Sequence, residues 1–189
     1  KNNYLSTSDY LNILDVGSLD VAGDYNYSDI FNEKNWKYTG LDVKAGNNVD
    51  IVVTDIYNWF EIEDDTYEVI ISGQFFEHLE YFWLTMNQIE RVLKPGGLVC
   101  IIVPSAGHKH GGDELNCYRF HEDGLKALAK YVNLEILNAT VDNRPEANPW
   151  NDACLVARKK GELSDDREEL EARIHELEGK LDTILNSIN

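Results

Sequence analysis

Short apolar runs alternate with segments of helical spacing through the first half of the chain. The apolar runs, which predict buried strands, are residues 12–16, 39–43, 49–53, 69–72 and 98–103. Continuous apolar runs of this length are typical of strands covered on both faces, and their alternation with helical segments is typical of βαβ units. The pattern therefore predicts a parallel sheet at the centre of an α/β domain.

The second half continues the pattern with two helices and two more strands. Residues 80–93 carry apolar positions at helical spacing and run into Lys94-Pro95-Gly96-Gly97, a combination that ends a helix and begins a tight turn. Residues 121–131 predict another helix, and residues 134–141 and 153–157 predict strands on either side of a proline-containing loop. The predicted sheet thus has seven strands.

The composition changes at Gly161, which divides the chain into a predicted domain of residues 1–160 and a helical tail of residues 161–189. The tail has an apolar series at four-three spacing, interrupted at one position by Arg167, and Ser164 is placed to cap the start of a helix. We interpret this series as a coiled coil. Because a lone helix with an exposed apolar seam is marginally stable, we expect a homo-oligomer or a partner contact through the tail.

Net charge and hydropathy exclude several classes of partner. The 189-residue chain has 17 Lys and Arg against 34 Asp and Glu, a formal charge of −17, and no basic stripe that could follow phosphates. We therefore expect no nucleic acid and no membrane partner. No apolar stretch is long enough to cross a bilayer and no signal pattern is present, so we expect a cytoplasmic protein. The three cysteines have no CxxC spacing, which predicts neither a disulfide framework nor a zinc site.

Glycine and acidic residues follow the first three predicted strands. Gly17 follows the first strand, Asp42 lies at the end of the second, and Asp55 follows the third. Ligands of open parallel sheets bind beyond the carboxyl ends of the strands, where glycine allows close backbone approach and a carboxylate can accept both hydroxyls of a ribose. The same positions are also compatible with ordinary strand-end acids, and each signal is weak when taken by itself.

Together the motifs resemble those of class I S-adenosylmethionine-dependent methyltransferases. The motifs, in the order found in that family, are ILDVGS, GLDV, VVTDI, VIISGQFFEHLEYF and RVLKPGGLVCIIVPS. The resemblance implies a Rossmann-like methyltransferase fold, with a mostly parallel seven-stranded sheet and helices on both faces, and S-adenosyl-L-methionine as the cofactor. DVGSLDVAG, SGQFFEHLEYFW, CYRFHEDG and PWND more narrowly resemble methyltransferases encoded in bacterial surface-polysaccharide and glycan gene clusters.

The resemblance also implies a role for each matching position. Those expected around the cofactor are Asp15, Gly17 and Ser18 at the methionine part, Asp42 and Val43 at the ribose, Asp55 and Ile56 at the adenine, and Gln74 under the sulfonium. The usual GxGxG reads Gly17-Ser18-Leu19-Asp20-Val21 here. That departure disfavours a dinucleotide, whose pyrophosphate needs the bare backbone, whereas S-adenosylmethionine has no phosphate.

The functional hypothesis is transfer of a methyl group to a hydroxyl of a small acceptor, most plausibly a sugar or sugar-bearing intermediate. Such an acceptor benefits from a general base, and histidine suits that task near neutral pH. His110 and His108, in the glycine-containing loop after the fifth strand, are the first candidates, with His78 behind them. The loop's order of histidines and carboxylates matches no strong metal motif, so no metal is expected.

Two alternatives remain open at this stage. The enzyme could methylate nitrogen or oxygen of another small metabolite, or the chain could be a non-catalytic cofactor-binding scaffold that assembles through its tail. Individual residues also have simpler interpretations: Glu77 and His78 could be a helix-start pair, and the loop at residues 107–114 could be a solvated connection.

Overall fold

A computed structural model describes residues 1, 3–21, 23, 26–109, 115–144, 149–161 and 175. Residues Lys1–Lys159 form one compact unit, and the description below concerns that unit. Most of the predicted coiled-coil tail at residues 161–189 lies outside the described residues. The domain boundary and self-association through the tail therefore stay predictions.

Within the described residues, the chain forms the seven predicted strands and two α-helices. The strands are β1 (Leu11–Val16), β2 (Trp36–Asp42), β3 (Ile51–Val52), β4 (Tyr67–Gly73), β5 (Leu93–Pro104), β6 (Glu135–Val141) and β7 (Asp152–Arg158). The helices are α1 (Phe82–Val92) and α2 (Glu122–Tyr131), with short 3₁₀ turns at Tyr27–Asp29 and Phe76–His78. Across the described ranges, no helix combines the length and the apolarity that a membrane crossing requires.

The sheet is mixed, with strand order β3-β2-β1-β4-β5-β7-β6. Strands β1 to β5 pair in parallel, whereas β7 runs antiparallel to both β5 and β6. The predicted seven strands and mostly parallel sheet are thus confirmed. The strand order reverses between β1 and β4, the place where open α/β sheets bind their ligands beyond the carboxyl ends of the strands. Because β7 runs the other way, its first residues arrive at that same edge of the sheet.

The two faces of the sheet are covered differently. Alternate residues of β5 point to opposite faces, and Val99, Ile101 and Val103 are fully buried in the larger core. Both α-helices pack into this core, for example through Ile89 of α1 and Leu125 of α2.

The opposite face has a smaller core and does not match the expectation of helices on both faces. Phe31 and Trp36 pack there against β1 and β4, with Leu5 and Tyr27 at the margin. Within the described residues, the only helical element near this core is the 3₁₀ turn at Tyr27–Asp29. The physical reason is local, since the connection from β1 to β2 is rich in polar and turn-forming residues and carries no amphipathic series.

Candidate active site

A cavity of about 410 Å³ lies at the carboxyl ends of β1, β2 and β4. That volume is within the range of small-molecule sites. Its walls are formed by Gly17, Leu19, Val21, Asp42, Val43, Lys44, Ile56, Gln74, Phe75, His78, Leu79 and Leu115. Five of the eight predicted cofactor residues are therefore brought together at one wall, namely Gly17, Asp42, Val43, Ile56 and Gln74.

Gly17 is the residue at which the chain turns from β1 into the cavity wall. Its φ of 80° lies in the left-handed region, and its N–H donates to the carbonyl of Leu41 at 2.9 Å. A Cβ at this position would lie 2.2 Å from Cγ of Phe75, which packs directly over the turn. Both the backbone conformation and the neighbouring ring therefore require glycine.

Asp42 presents a buried carboxylate to the cavity from the end of β2. Its Oδ2 accepts from the backbone N–H of Leu19 at 3.3 Å, and its Oδ1 accepts from that of Lys44 at 3.0 Å. An ionised carboxylate has about four acceptor positions, so two backbone bonds leave capacity for ligand hydroxyls. The same bonds hold the carboxylate in place, which suits it to recognise a vicinal diol such as that of ribose.

Asp15 and Ser18 lie behind the wall. Asp15 is 2% exposed and accepts a hydrogen bond from the hydroxyl of Tyr38. Burial raises the pKa of Asp15 to about 7, the Tyr38 hydrogen bond lowers it, and the charge of Asp42 raises it further. The Ser18 hydroxyl donates to the carbonyl of Asn48 at 2.8 Å, so Ser18 ties the loop after β1 to the loop after β2.

The two residues expected at the adenine, Asp55 and Ile56, lie in different surroundings. Ile56 lines the cavity, and its carbonyl accepts from Trp59 Nε1 at 2.9 Å and from Thr85 Oγ1 at 3.2 Å, which fixes its position. Asp55 is exposed and does not line the cavity, and its Oδ1 accepts from the N–H of Tyr57 at 2.8 Å. Asp55 thus stabilises its own turn.

Gln74 closes the end of β4 in an unusual backbone conformation. Its φ is 54°, and its N–H donates to the carbonyl of Ile102 on β5 at 2.8 Å. Its side-chain Nε2 donates to Oδ1 of Asp152 at 3.0 Å. A left-handed conformation at a residue other than glycine is uncommon and is found at functional sites. Here it directs the side chain towards the first residue of β7.

His78 lines the cavity on the 3₁₀ turn that follows β4. Its Nδ1 lies 2.5 Å from the carbonyl oxygen of Leu115. A carbonyl can only accept, so Nδ1 carries the proton and donates it. In the neutral ring, Nε2 is then the nitrogen that holds the lone pair. Oε1 of Glu77 lies 3.7 Å from Nε2.

His108 is exposed and is not among the cavity walls. Its ring centroid is 5.3 Å from that of Trp150, and its carbonyl accepts from Nη2 of Arg119. His110, together with residues 111–114 of the same loop, lies outside the described residues. In the part of the chain that is described, no group of three or more His, Cys, Asp or Glu side chains is arranged to hold a metal ion.

Sequence reasoning did not find most of the apolar wall. Phe75 and Leu79 flank the polar positions of the motif after β4, so their contribution follows from the motif once its conformation is known. Leu115 comes from a segment far along the chain and carries no motif signal. Glu77 was considered as a helix-start residue, but its side chain is fully buried beside His78.

Solved structures with similar folds are S-adenosylmethionine-dependent methyltransferases or resemble them. The chain is similar to the 1,6-didemethyltoxoflavin-N1-methyltransferase of Burkholderia thailandensis, solved with S-adenosylhomocysteine, at 16% identity, TM-score 0.64 and coverage of 81% of this chain and 72% of that one. A methyltransferase of Methanosarcina mazei has 16% identity and TM-score 0.61, with coverage of 85% and 97%. The [4+2]-cyclase SpnF has 17% identity and TM-score 0.60, with coverage of 80% and 75%. At these identities the likeness shows the fold.

Residues 15–101 match the model of a methyltransferase domain, and this stretch contains the end of β1, β2 to β4, α1 and most of the cavity wall. This match identifies a methyltransferase domain at residues 15–101, and together with the similar folds it supports S-adenosylmethionine-dependent methyltransferase activity. No curated protein matches the sequence. The methyltransferase therefore has an assigned chemistry and cofactor, while its acceptor has to be argued from the site.

Proposed function

We propose that this methyltransferase transfers a methyl group from S-adenosylmethionine to a hydroxyl of a small acceptor, a sugar or a sugar-bearing intermediate of glycan biosynthesis. The observation that carries the proposal is the position of His78. Its ring lines the cavity, and the hydrogen bond from Nδ1 to Leu115 leaves Nε2 as the basic nitrogen of the neutral ring. An alcohol needs such a base because its proton must leave as the new bond forms.

The residues around the cavity fit the cofactor. Asp42, with Val43 beside it, would bind the ribose hydroxyls, and Ile56 would pack against the adenine. Gly17 would allow the methionine part to approach the backbone, with Asp15 and Ser18 supporting that turn from behind. Asp55, which is exposed, would contribute less to the adenine site than the resemblance alone implies. Gln74 would lie near the sulfonium.

When bound, the cofactor supplies a methyl group on a positively charged sulfur. The carbon–oxygen bond to the acceptor forms as the carbon–sulfur bond breaks, and the hydroxyl proton passes to Nε2 of His78. The chain's remaining task is to hold the hydroxyl in line and to exclude water. Apolar side chains of Phe75, Leu79 and Leu115 form the wall suited to that task.

The geometry changes the order of the candidate bases. His78 lines the cavity, whereas His108 is exposed and its ring packs near Trp150. We therefore place His78 ahead of His108. His110 stays a prediction from the sequence.

Support for a sugar acceptor comes from the motifs that resemble methyltransferases of glycan gene clusters. Two of them, CYRFHEDG and PWND, contain Arg119, Trp150 and Asp152, which lie together near the end of β4. The alternative acceptor is a nitrogen of another small metabolite. It is favoured by one observation, that the similar Burkholderia enzyme is named as an N1-methyltransferase.

The experiment is a screen of acceptors with purified protein and S-adenosylmethionine. Nucleotide sugars and glycan fragments form one set, and amines and nitrogen heterocycles form the other. We expect formation of S-adenosylhomocysteine together with a product heavier by one methyl group in the sugar set. Methylation confined to the nitrogen set would replace the sugar proposal by its alternative. A product from neither set, with cofactor bound, would favour the scaffold.

A further inference from the structure

We propose that Glu77 is a positioning residue for methyl transfer, because its buried carboxylate stabilises the imidazolium that His78 becomes on taking the acceptor's proton. The proposal rests on the proposed role of His78 as the base. It specifies how Glu77 acts: through its charge on His78 and without contact to the acceptor.

The Glu77 side chain is 0% exposed, and neither of its carboxylate oxygens has a hydrogen-bond partner in the described part of the chain. Burying an ionisable group without hydrogen bonds costs free energy, so folded proteins rarely keep one. The backbone carbonyl of Glu77 accepts hydrogen bonds from the N–H groups of Cys117 at 2.7 Å and Tyr118 at 3.3 Å. The turn is therefore fixed by backbone contacts that do not need a carboxylate.

The group with which the Glu77 carboxylate interacts is His78. Oε1 of Glu77 lies 3.7 Å from Nε2, which is longer than a hydrogen bond and well within the range of a strong charge interaction. The Leu115 carbonyl holds the opposite side of the ring through Nδ1. The ring is consequently held so that the nitrogen that gains the proton is the one nearest the carboxylate.

Other charged groups around Glu77 are consistent with this role. Burial raises the pKa of Glu77, the positive charges of His78 and Arg119 lower it, and Asp152 raises it. The ionised form of Glu77 is thus most stable when His78 carries a proton, so the titrations of Glu77 and His78 are linked. A proton gained by His78 during the reaction therefore brings a positive charge beside the buried Glu77 carboxylate.

In the proposed reaction the acceptor oxygen bonds to the methyl carbon as the carbon–sulfur bond of S-adenosylmethionine breaks, and the hydroxyl proton moves to Nε2 of His78. Glu77 takes part only through its charge, so its removal should weaken the base without removing it. A residue that merely supported the fold would have no such effect on the titration of the histidine.

The test compares Glu77→Gln with the parent by NMR titration of the His78 ring, with His78→Gln used to assign the signal. Glutamine keeps the shape and removes the charge. We expect the His78 ring to lose its proton at lower pH in the variant than in the parent, because the neighbouring negative charge is gone. The acidic limb of the pH profile of kcat/KM for the acceptor should move down by the same amount, with kcat lowered about tenfold. Affinity for S-adenosylhomocysteine should change less than about twofold.

Glu80→Gln is the matched control. Glu80 lies in the same segment, but it is exposed, so the same substitution there should leave the His78 titration within about 0.3 units. Equal titrations of His78 in the parent and in Glu77→Gln would overturn the proposal. If Glu77→Gln does not fold, the reciprocal measurement decides: His78→Gln should raise the pKa of the Glu77 carboxyl, followed by carbon NMR, and an unchanged value would overturn the proposal.

The NMR arm needs no acceptor, so it separates this inference from the proposed function. Coupled titrations support the pair even if the true acceptor proves to be a nitrogen. Uncoupled titrations overturn the role of Glu77 even if a sugar is methylated.

Discussion

The two halves of the cavity are built by different means. The cofactor half, at the ends of β1 and β2, consists of Gly17 and Asp42 and the loops they belong to, and main-chain hydrogen bonds hold both residues in place. The half proposed for the acceptor, at the end of β4, contains Gln74 and His78, and Gln74 is bonded to Asp152 at the start of β7. There the important contacts are made by side chains from segments far apart in sequence.

This difference implies different sensitivity to substitution. A change in the cofactor half meets fixed backbone and buried charge, so its cost falls on folding and on cofactor affinity. A change in the acceptor half removes a side chain that we propose acts in the reaction, so its cost should fall on turnover. The four predictions below test that division, from the largest expected effect to the smallest.

Asp15→Asn should stabilise the ligand-free protein at high pH. The folded-state pKa of Asp15 is raised from 3.8 to about 7, so between these values the unfolded chain ionises this carboxyl while the folded chain keeps its proton. Stability from this group is present at low pH and is lost as pH rises through about 7, with a total cost of about 4 kcal/mol. Urea unfolding at pH 4 and pH 8 measures it.

Asparagine keeps an acceptor for the Tyr38 hydroxyl, so the comparison isolates the charge. Asp55→Asn, at an exposed carboxylate, is the control and should show no such pH dependence. The proposed cost would be contradicted if the parent and Asp15→Asn differed in unfolding free energy by the same amount at pH 4 and at pH 8.

Gly17→Ala should destabilise the protein by about 3 kcal/mol and abolish measurable cofactor binding. About 1 to 2 kcal/mol comes from the left-handed backbone, and the remainder comes from overlap with Phe75. Thermal unfolding and calorimetry with S-adenosylhomocysteine provide the measurements. Gly96→Ala is the matched control, because Gly96 has a φ of 78° and open space where its Cβ would lie. Equal losses in the two variants would mean that Phe75 does not restrict the turn.

His78→Gln should lower turnover at least about 10²-fold, equivalent to about 2.7 kcal/mol, with cofactor affinity nearly unchanged. A base acts in the transition state, and His78 belongs to the acceptor half. His108→Gln is the comparison and should lower turnover less than about threefold, because its ring does not line the cavity. Steady-state kinetics with the acceptor identified by screening decides the matter. A stronger effect at His108 would restore the order expected from the sequence.

Asp42→Ala should weaken cofactor binding by about 1.5 to 3 kcal/mol through loss of charged hydrogen bonds to ribose. Turnover at saturating cofactor should change little, as expected for the cofactor half. Calorimetry of Asp42→Ala and Asp55→Ala provides the test. Because Asp55 is exposed, Asp55→Ala should weaken cofactor binding by less than about 0.5 kcal/mol. Equal affinity of Asp42→Ala and the parent would remove Asp42 from the site.

What could be predicted from the sequence follows the same division. The strands were predicted because buried parallel strands are continuous apolar runs, and Gly17 and Asp42 were singled out because Gly17 directly follows β1 and Asp42 ends β2. Leu115 could not be predicted, since no local pattern says that a carbonyl in a distant segment meets the ring of His78. The motif also placed Asp55 at the adenine, but the turn in which Asp55 lies leaves its side chain exposed.

The antiparallel direction of β7 has a consequence for the order of assembly during synthesis. Chains leave the ribosome from the N-terminus, and domains generally fold as units. Strands β1 and β2, whose ends form the cofactor half, emerge well before β7. The contact from Gln74 to Asp152 has to wait for the last strand of the sheet. A nascent chain interrupted before β7 would therefore carry the cofactor strands and lack the group that anchors Gln74.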